Sequence, residues 1–167
     1  MGGVLLNPFK EIVMLKVRLA TLEDVHSLTP RLRKADLREI EAVGRESPFE
    51  ALLTGFNSPD PTYVAVDEDD VPHVIFGTHP SHEPILGYVW MMASDDVNKY
   101  WVQLLRETKA WVDRLKGHYR VLSNCVHKDN TLHIRWLRWA GFSLLRELTF
   151  NKEPFIEFAK LTRLEDR

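Results

Sequence analysis

Cysteine is all but absent. Cys125 is the single thiol in 167 residues, which excludes an internal disulfide and any metal site built on several thiolates. Long apolar runs are missing as well: the stretch that ends at Ala93 falls far short of the roughly 20 residues of a membrane-spanning helix. Charge of one sign is not in excess. Twenty-two Lys+Arg stand against twenty-four Asp+Glu, a net of −2, so no overall attraction draws the chain to nucleic acid or anionic lipid. The opening MGGVLLNPFKEIVML lacks a basic leader and reaches Lys10 and Glu11 too early for a secretory signal. Leu6 stands where a myristoylation pattern wants Ser or Thr. These absences read together as a protein of a reducing cytoplasm with no membrane span.

What remains is one domain's worth of chain, 44% apolar and 28% charged. Residues 1–13 read as a tail and 14–167 as a single domain. Residues 15–20, LKVRLA, alternate like a half-buried strand. Thr21 caps a helix that breaks at Pro30, with Asp24 at its third position although a strict capping box wants Glu or Gln. A second helix fits residues 31–43, with Leu32, Ala35, Leu37, Ile40 and Val43 on its apolar side and Gly44 at its end; residues 48–56 suggest a further turn. Strands over 62–66 and 71–77 flank the acidic turn 67–70, and residues 85–93 are apolar on both faces, as in a central strand. The strongest helix spans 98–116 on Trp101, Leu104, Leu105, Thr108, Trp111, Val112 and Leu115. A strand over 120–126, a short helix over 130–140 and strands over 143–150 and 154–161 complete a mixed α/β chain, order β-α-α-β-β-β-α-β-α-β-β.

Asn130 opens the last helix and Gly141-Phe142 closes it eleven residues later, after a strand ending at Val126. Asn is a good N-cap and Gly takes the left-handed turn that ends a helix. With the element order, this pattern resembles the GNAT acyltransferase fold, a mixed and mostly antiparallel sheet flanked by helices. The block YWVQLLRETKAWVDRLKGHYRVLSNCVHKDNTLHIRWLRWAGF, with FIEFAK after it, is similar to a GNAT-like family of short-tailed bacteriophages known as internal virion protein A. The segments ADLREIEAVG and HVIFG extend the resemblance over about Val17 to Lys160.

The resemblance implies a role in phage particle assembly through phage or host protein partners, in the host cytoplasm during infection and in the virion. It also implies acetyl-CoA as cofactor if the family chemistry is kept, with backbone groups of Met91, Met92 and Ala93 and the side chain of Asn130 holding the pantetheine arm. The chain departs from the pattern at two places. GNAT enzymes cradle the pyrophosphate in a glycine-rich loop, but no glycine lies between Gly87 and Gly117, and Asp95 and Asp96 bring negative charge to that place. These acids suit the positive end of the following helix instead. Where many members carry a proton-donating Tyr, seven residues after the helix-opening Asn, this chain has Leu137. His133 and His127 are the nearby groups able to exchange a proton.

Other constellations have plainer readings. His73, His79, His82 and Glu83 match no rigid metal-ligand spacing and read as a polar hairpin, so no metal is expected. Cys125 beside His127 and His133 lacks an orienting third group and reads as a small apolar residue in a strand. His127, Lys128, His133, Arg135 and Arg138 make the short helix basic, while Trp136 and Trp139 stand one turn apart as a core stripe or an interface anchor. The sequence therefore reads as a GNAT-like virion-assembly protein with little or no acetyltransferase activity; the alternative is an acyl-CoA-dependent N-acetyltransferase with an atypical pyrophosphate loop.

Overall fold

The computed structural model describes residues 14–44 and 47–162, so the expected tail over 1–13 lies outside the described residues. Seven strands form one sheet in the order β1-β2-β3-β4-β5-β7-β6, with β1 Lys16–Leu19, β2 Thr62–Val66, β3 Pro72–Pro80, β4 Leu86–Ala93, β5 Val121–His127, β6 Ser143–Phe150 and β7 Glu153–Leu161. Every neighbouring pair is antiparallel except β4 and β5. The helices are α1 Leu22–Leu28, α2 Lys34–Ala42, α3 Pro48–Phe56, α4 Trp101–Leu115 and α5 Thr131–Trp139. The order matches the sequence reading, with residues 48–56 forming a full helix rather than a turn. Among the described residues no helix is long and apolar enough to cross a membrane.

Strand alternation divides the core between the two faces of the sheet. Val64, Val66, Ile75, Trp90 and Met92 pack against Val25, Leu28, Ile40 and Leu52 of α1 to α3. On the other face Ala65, Val74, Phe76, Met91 and Ala93 meet Tyr100 and Leu104 at the start of α4. Leu122, Val126 and Phe158 meet Val112 of α4 and Leu137 of α5.

Local chemistry sets the boundaries. Asp24 does close a capping box: its Oδ2 accepts from the Thr21 N–H at 2.8 Å, and Arg18 of β1 holds the same carboxylate at 2.7 Å. The long helix starts at Trp101, not 98, because residues 95–100 form a 3₁₀ turn whose threefold period puts Val97 and Tyr100 together in the core. Asp95 and Asp96 stand in that turn without capping it, and Asp96 pairs with Lys99 at 3.2 Å. The α2 face also differs from expectation. Leu37 and Val43 are exposed, whereas Asp36 and Ile40 are buried, because Asp36 has partners inside the protein.

α5 ends as the Asn/Gly spacing implies. The Phe142 N–H reaches the Leu137 carbonyl at 3.0 Å and the Gly141 N–H reaches Arg138 at 3.1 Å, with Gly141 at φ +91°. This is a Schellman closure, with Phe142 and Leu137 sharing one cluster. A β-branched residue at Gly141 would be forced into the left-handed region. Gly141→Val is expected to cost about 1–2 kcal/mol, read as a lower urea midpoint; an unchanged midpoint would refute this account of the turn.

Candidate functional site

The parallel β4–β5 ladder runs through only three pairs, Leu86↔Val121, Gly87↔Leu122 and Tyr88↔Ser123. Its start is fixed by Gly87. A Cβ there would lie 2.6 Å from the Tyr119 ring, and Tyr119 is itself anchored by donating to Asp60 at 2.6 Å. Beyond Tyr88 the strands separate: β4 continues along β3 to Ala93, and β5 continues along β7 to His127. The result is a triangular opening in the middle of the sheet.

Backbone groups along such an opening would be orphaned unless something met them. At the narrow end the Asn124 amide spans the gap like an inserted peptide, donating Nδ2 to the Val89 carbonyl and accepting the Cys125 N–H, both at 2.8 Å. At the wide end α2 closes the triangle. Asp36 accepts the Ala93 N–H at 2.9 Å, and the Arg33 N–H donates to the Ala93 carbonyl at 3.0 Å. One turn later Glu39 Oε1 accepts the His127 N–H at 2.9 Å and the Asn130 amide at 3.0 Å. The polar groups of Val89 and Ala93 thus face β5, and the two-residue period of a strand turns those of Met91 the same way. The Met91 N–H and C=O face the opening, beyond the reach of either neighbouring ladder.

A cavity of about 580 Å³ passes through this opening, lined from both faces of the sheet. Leu104, Trp111 and Val112 of α4 bound it on one side, and Ile40, Thr54 and Phe155 on the other. Its walls are mostly apolar; Glu39, Asn124, Cys125 and His133 are among the polar exceptions. Burial raises the Glu39 carboxyl above the usual carboxylate range, against the bonds from Asn130 and the His127 N–H that favour its charge. Burial pushes the His133 imidazole down to about 4, and its Nδ1 is sealed from solvent without a partner. Burial, with the charge of Glu157, also raises the Cys125 thiol, which is therefore not an activated thiolate.

The sequence candidates divide. Met91, Met92, Cys125 and His133 line the cavity. Ala93 stands at the wide end with its N–H and carbonyl already bound to α2. Asn130 caps α5, accepting from the His133 N–H at 3.4 Å, and holds Glu39. His127 does not face the cavity: Nε2 pairs with Glu153 at 2.7 Å and Nδ1 accepts the Asp129 N–H. His73 is tied between Asp67 and Ser94, each at 2.9 Å. Trp136 and Trp139 are interhelix ties rather than a stripe, donating to Thr108 and to the Leu105 carbonyl of α4. The sequence reading missed Asn124, Arg33, Asp36 and Glu39. The available signal was two acids three apart on one helix.

Two outcomes follow. Arg33 grips Asp36 through two hydrogen bonds, at 3.1 and 2.9 Å, and both residues are buried. Asp36→Leu should cost about 3–5 kcal/mol by stranding that cation, and Arg33→Met added to it should recover much of the loss in urea titrations. His133 is the second. Its folded-state value lies below the unfolded value of about 6.5, so the unfolded chain binds the proton more readily. The wild-type chain should lose stability relative to His133→Gln as pH falls from about 6.5 to about 4, by at most about 1.4 kcal/mol per unit. Parallel pH curves would show the ring is not buried as described.

No family model matches the chain, and no curated protein matches it. Solved structures do. A GNAT superfamily phosphinothricin acetyltransferase from Sinorhizobium meliloti in complex with AcCoA aligns with TM-score 0.66 and 17% identity, over 89% of this chain and 88% of that one. A GCN5-related N-acetyltransferase from Kribbella flavida aligns with TM-score 0.64 and 18% identity, over 89% and 98%. AAC(6')-Ib in complex with ribostamycin and coenzyme A aligns with TM-score 0.64 and 15% identity, over 89% and 93%. The chain shares the fold of the GNAT N-acetyltransferases.

Proposed function

We propose that this chain is an N-acyltransferase that takes an acyl-CoA-type thioester in the β4–β5 opening and passes its acyl group to an amine. The observation that carries this reading is the Met91 N–H, a backbone donor facing a cavity that pierces the sheet. Such a cavity gives donor and acceptor separate approaches, one from the α4–α5 face and one from the α2–α3 face. Solved neighbours of the same fold hold acetyl-CoA or coenzyme A, which supports the same class of donor here. Particle assembly, the role implied by the phage resemblance, requires no such opening.

The residues divide the work as follows. A thioester carbonyl against the Met91 N–H has a fixed donor where negative charge develops during attack. Glu39, on the acceptor side and raised by burial, takes the proton that the amine sheds as its nitrogen bonds to the acyl carbon. The carbon–sulfur bond breaks and the sulfur leaves, gaining its proton from solvent. His133 stays neutral near pH 7, so it lines the donor side without serving as the acid.

The test is direct. Millimolar acetyl-CoA should raise the melting temperature: a ligand at about 100 times its Kd adds about 2.7 kcal/mol, about 5–10 °C for a chain of this size. Thiol release against a panel of amines should then identify acceptors. Glu39→Gln keeps an oxygen to accept both hydrogen bonds, so it should retain the melting shift and lose about 100-fold or more in kcat. Neither a shift nor thiol release would sink the reading.

A further inference from the structure

We infer that the donor is recognised through its acyl-pantetheine arm alone, with the nucleotide of CoA contributing nothing to affinity. This rests on the acyl-transfer reading above and specifies its substrate. An arm lying in the opening with its thioester at Met91 cannot leave through the narrow end, where Asn124 and the three β4–β5 pairs close the sheet. It emerges at the wide end, past Ala93, between the starts of α4 and α5. A diphosphate carried on it would lie there.

That place offers no seat. Val97, Trp101, Leu104, Leu132 and Trp136 line it and leave a void of about 20 Å³, room for about one water and far too small for a diphosphate. The Trp136 indole donates to Thr108 at 2.6 Å and Trp139 to the Leu105 carbonyl at 3.0 Å, so the two helices are stitched across the exit. Four backbone donors beside it are committed as well. The Ser94 N–H goes to the His73 carbonyl, the Val97 N–H to the Ser94 carbonyl, the Ala93 N–H to Asp36 and the His133 N–H to Asn130.

Charge points the same way. Arg33, the buried cation at this end, is held in a fork by Asp36, and Lys99 is paired with Asp96. Asp95 adds a further negative charge beside Arg33, and a diphosphate there would meet its repulsion. A neutral, amide-bearing arm meets no charge repulsion and needs no seat of its own there, since its polar groups need only the edge of β4. The ligand class is therefore an S-acyl pantetheine, whatever its far end carries.

Calorimetry on the wild-type chain tests this with three probes: acetyl-CoA, S-acetylpantetheine and adenosine 3′,5′-bisphosphate. The two thioesters should bind within about threefold of each other, and the bisphosphate should neither bind nor compete. Acetyl-CoA binding about 100-fold tighter than S-acetylpantetheine, or competition by the bisphosphate, would overturn the inference while leaving acyl transfer intact. Binding of neither thioester would overturn both.

Discussion

A sheet that parts in its middle exposes two edges at once, and each edge presents backbone groups with nothing to meet them. An unsatisfied buried amide costs about 1–3 kcal/mol, so an opening of this kind survives only if side chains replace the missing ladder. Here they do so at both ends. Asn124 joins the strands where they first diverge, and Asp36 and Glu39 serve one strand each where the gap is widest. The centre is left open, and Met91 lies in the centre. Placement of α2, the buried charges and the shape of the cavity all depend on this accounting.

The choice of carboxylates on α2 has consequences beyond hydrogen bonding. Asp36 is almost wholly buried, and an isolated charge there would be prohibitive without a partner. Arg33 supplies the partner three residues earlier, and its own N–H takes the Ala93 carbonyl. One short segment thus seals the end of β4 with side chain and backbone together. Among the described residues Glu39 has no such cation within hydrogen-bond reach. Burial holds it above the ordinary carboxylate range in spite of its two neutral donors, as the proposed proton acceptor would need. The two acids differ in chemistry because only one of them is neutralised.

Much of the fold was legible because it rests on period and punctuation. The alternating LKVRLA, the acidic turn between β2 and β3, and the Asn130 to Gly141 spacing each specify a local conformation that the rest of the chain respects. The site was less legible. Periodicity assigns charged residues to the surface, so Asp36 and Glu39 were passed over while Leu37 and Val43 were placed in the core. Burial of those acids depends on the β4–β5 divergence, a long-range event that no window of sequence contains. His127 invited a catalytic reading for the complementary reason: its partner Glu153 lies beyond all of α5 and β6 in the chain.

The same divergence explains why an amide-bearing ligand suits the opening. Past Tyr88, β4 has one edge paired to β3 and the other facing the space from which β5 has turned away. An extended arm with its own N–H and C=O groups can lie there as a short surrogate strand, gaining hydrogen bonds that water in an apolar cavity supplies poorly. Side-chain identity matters little for that contact, so Trp90, Met91 and Met92 on β4 are compatible with the proposed binding. Specificity then falls to the walls: apolar α4 and α5 on one side, and Glu39 with the aromatic and aliphatic groups around it on the other. On the proposed reading, a fold whose glycine-rich cradle is missing keeps its chemistry in this way, because the sheet would hold the thioester and the cradle would serve only what hangs from it.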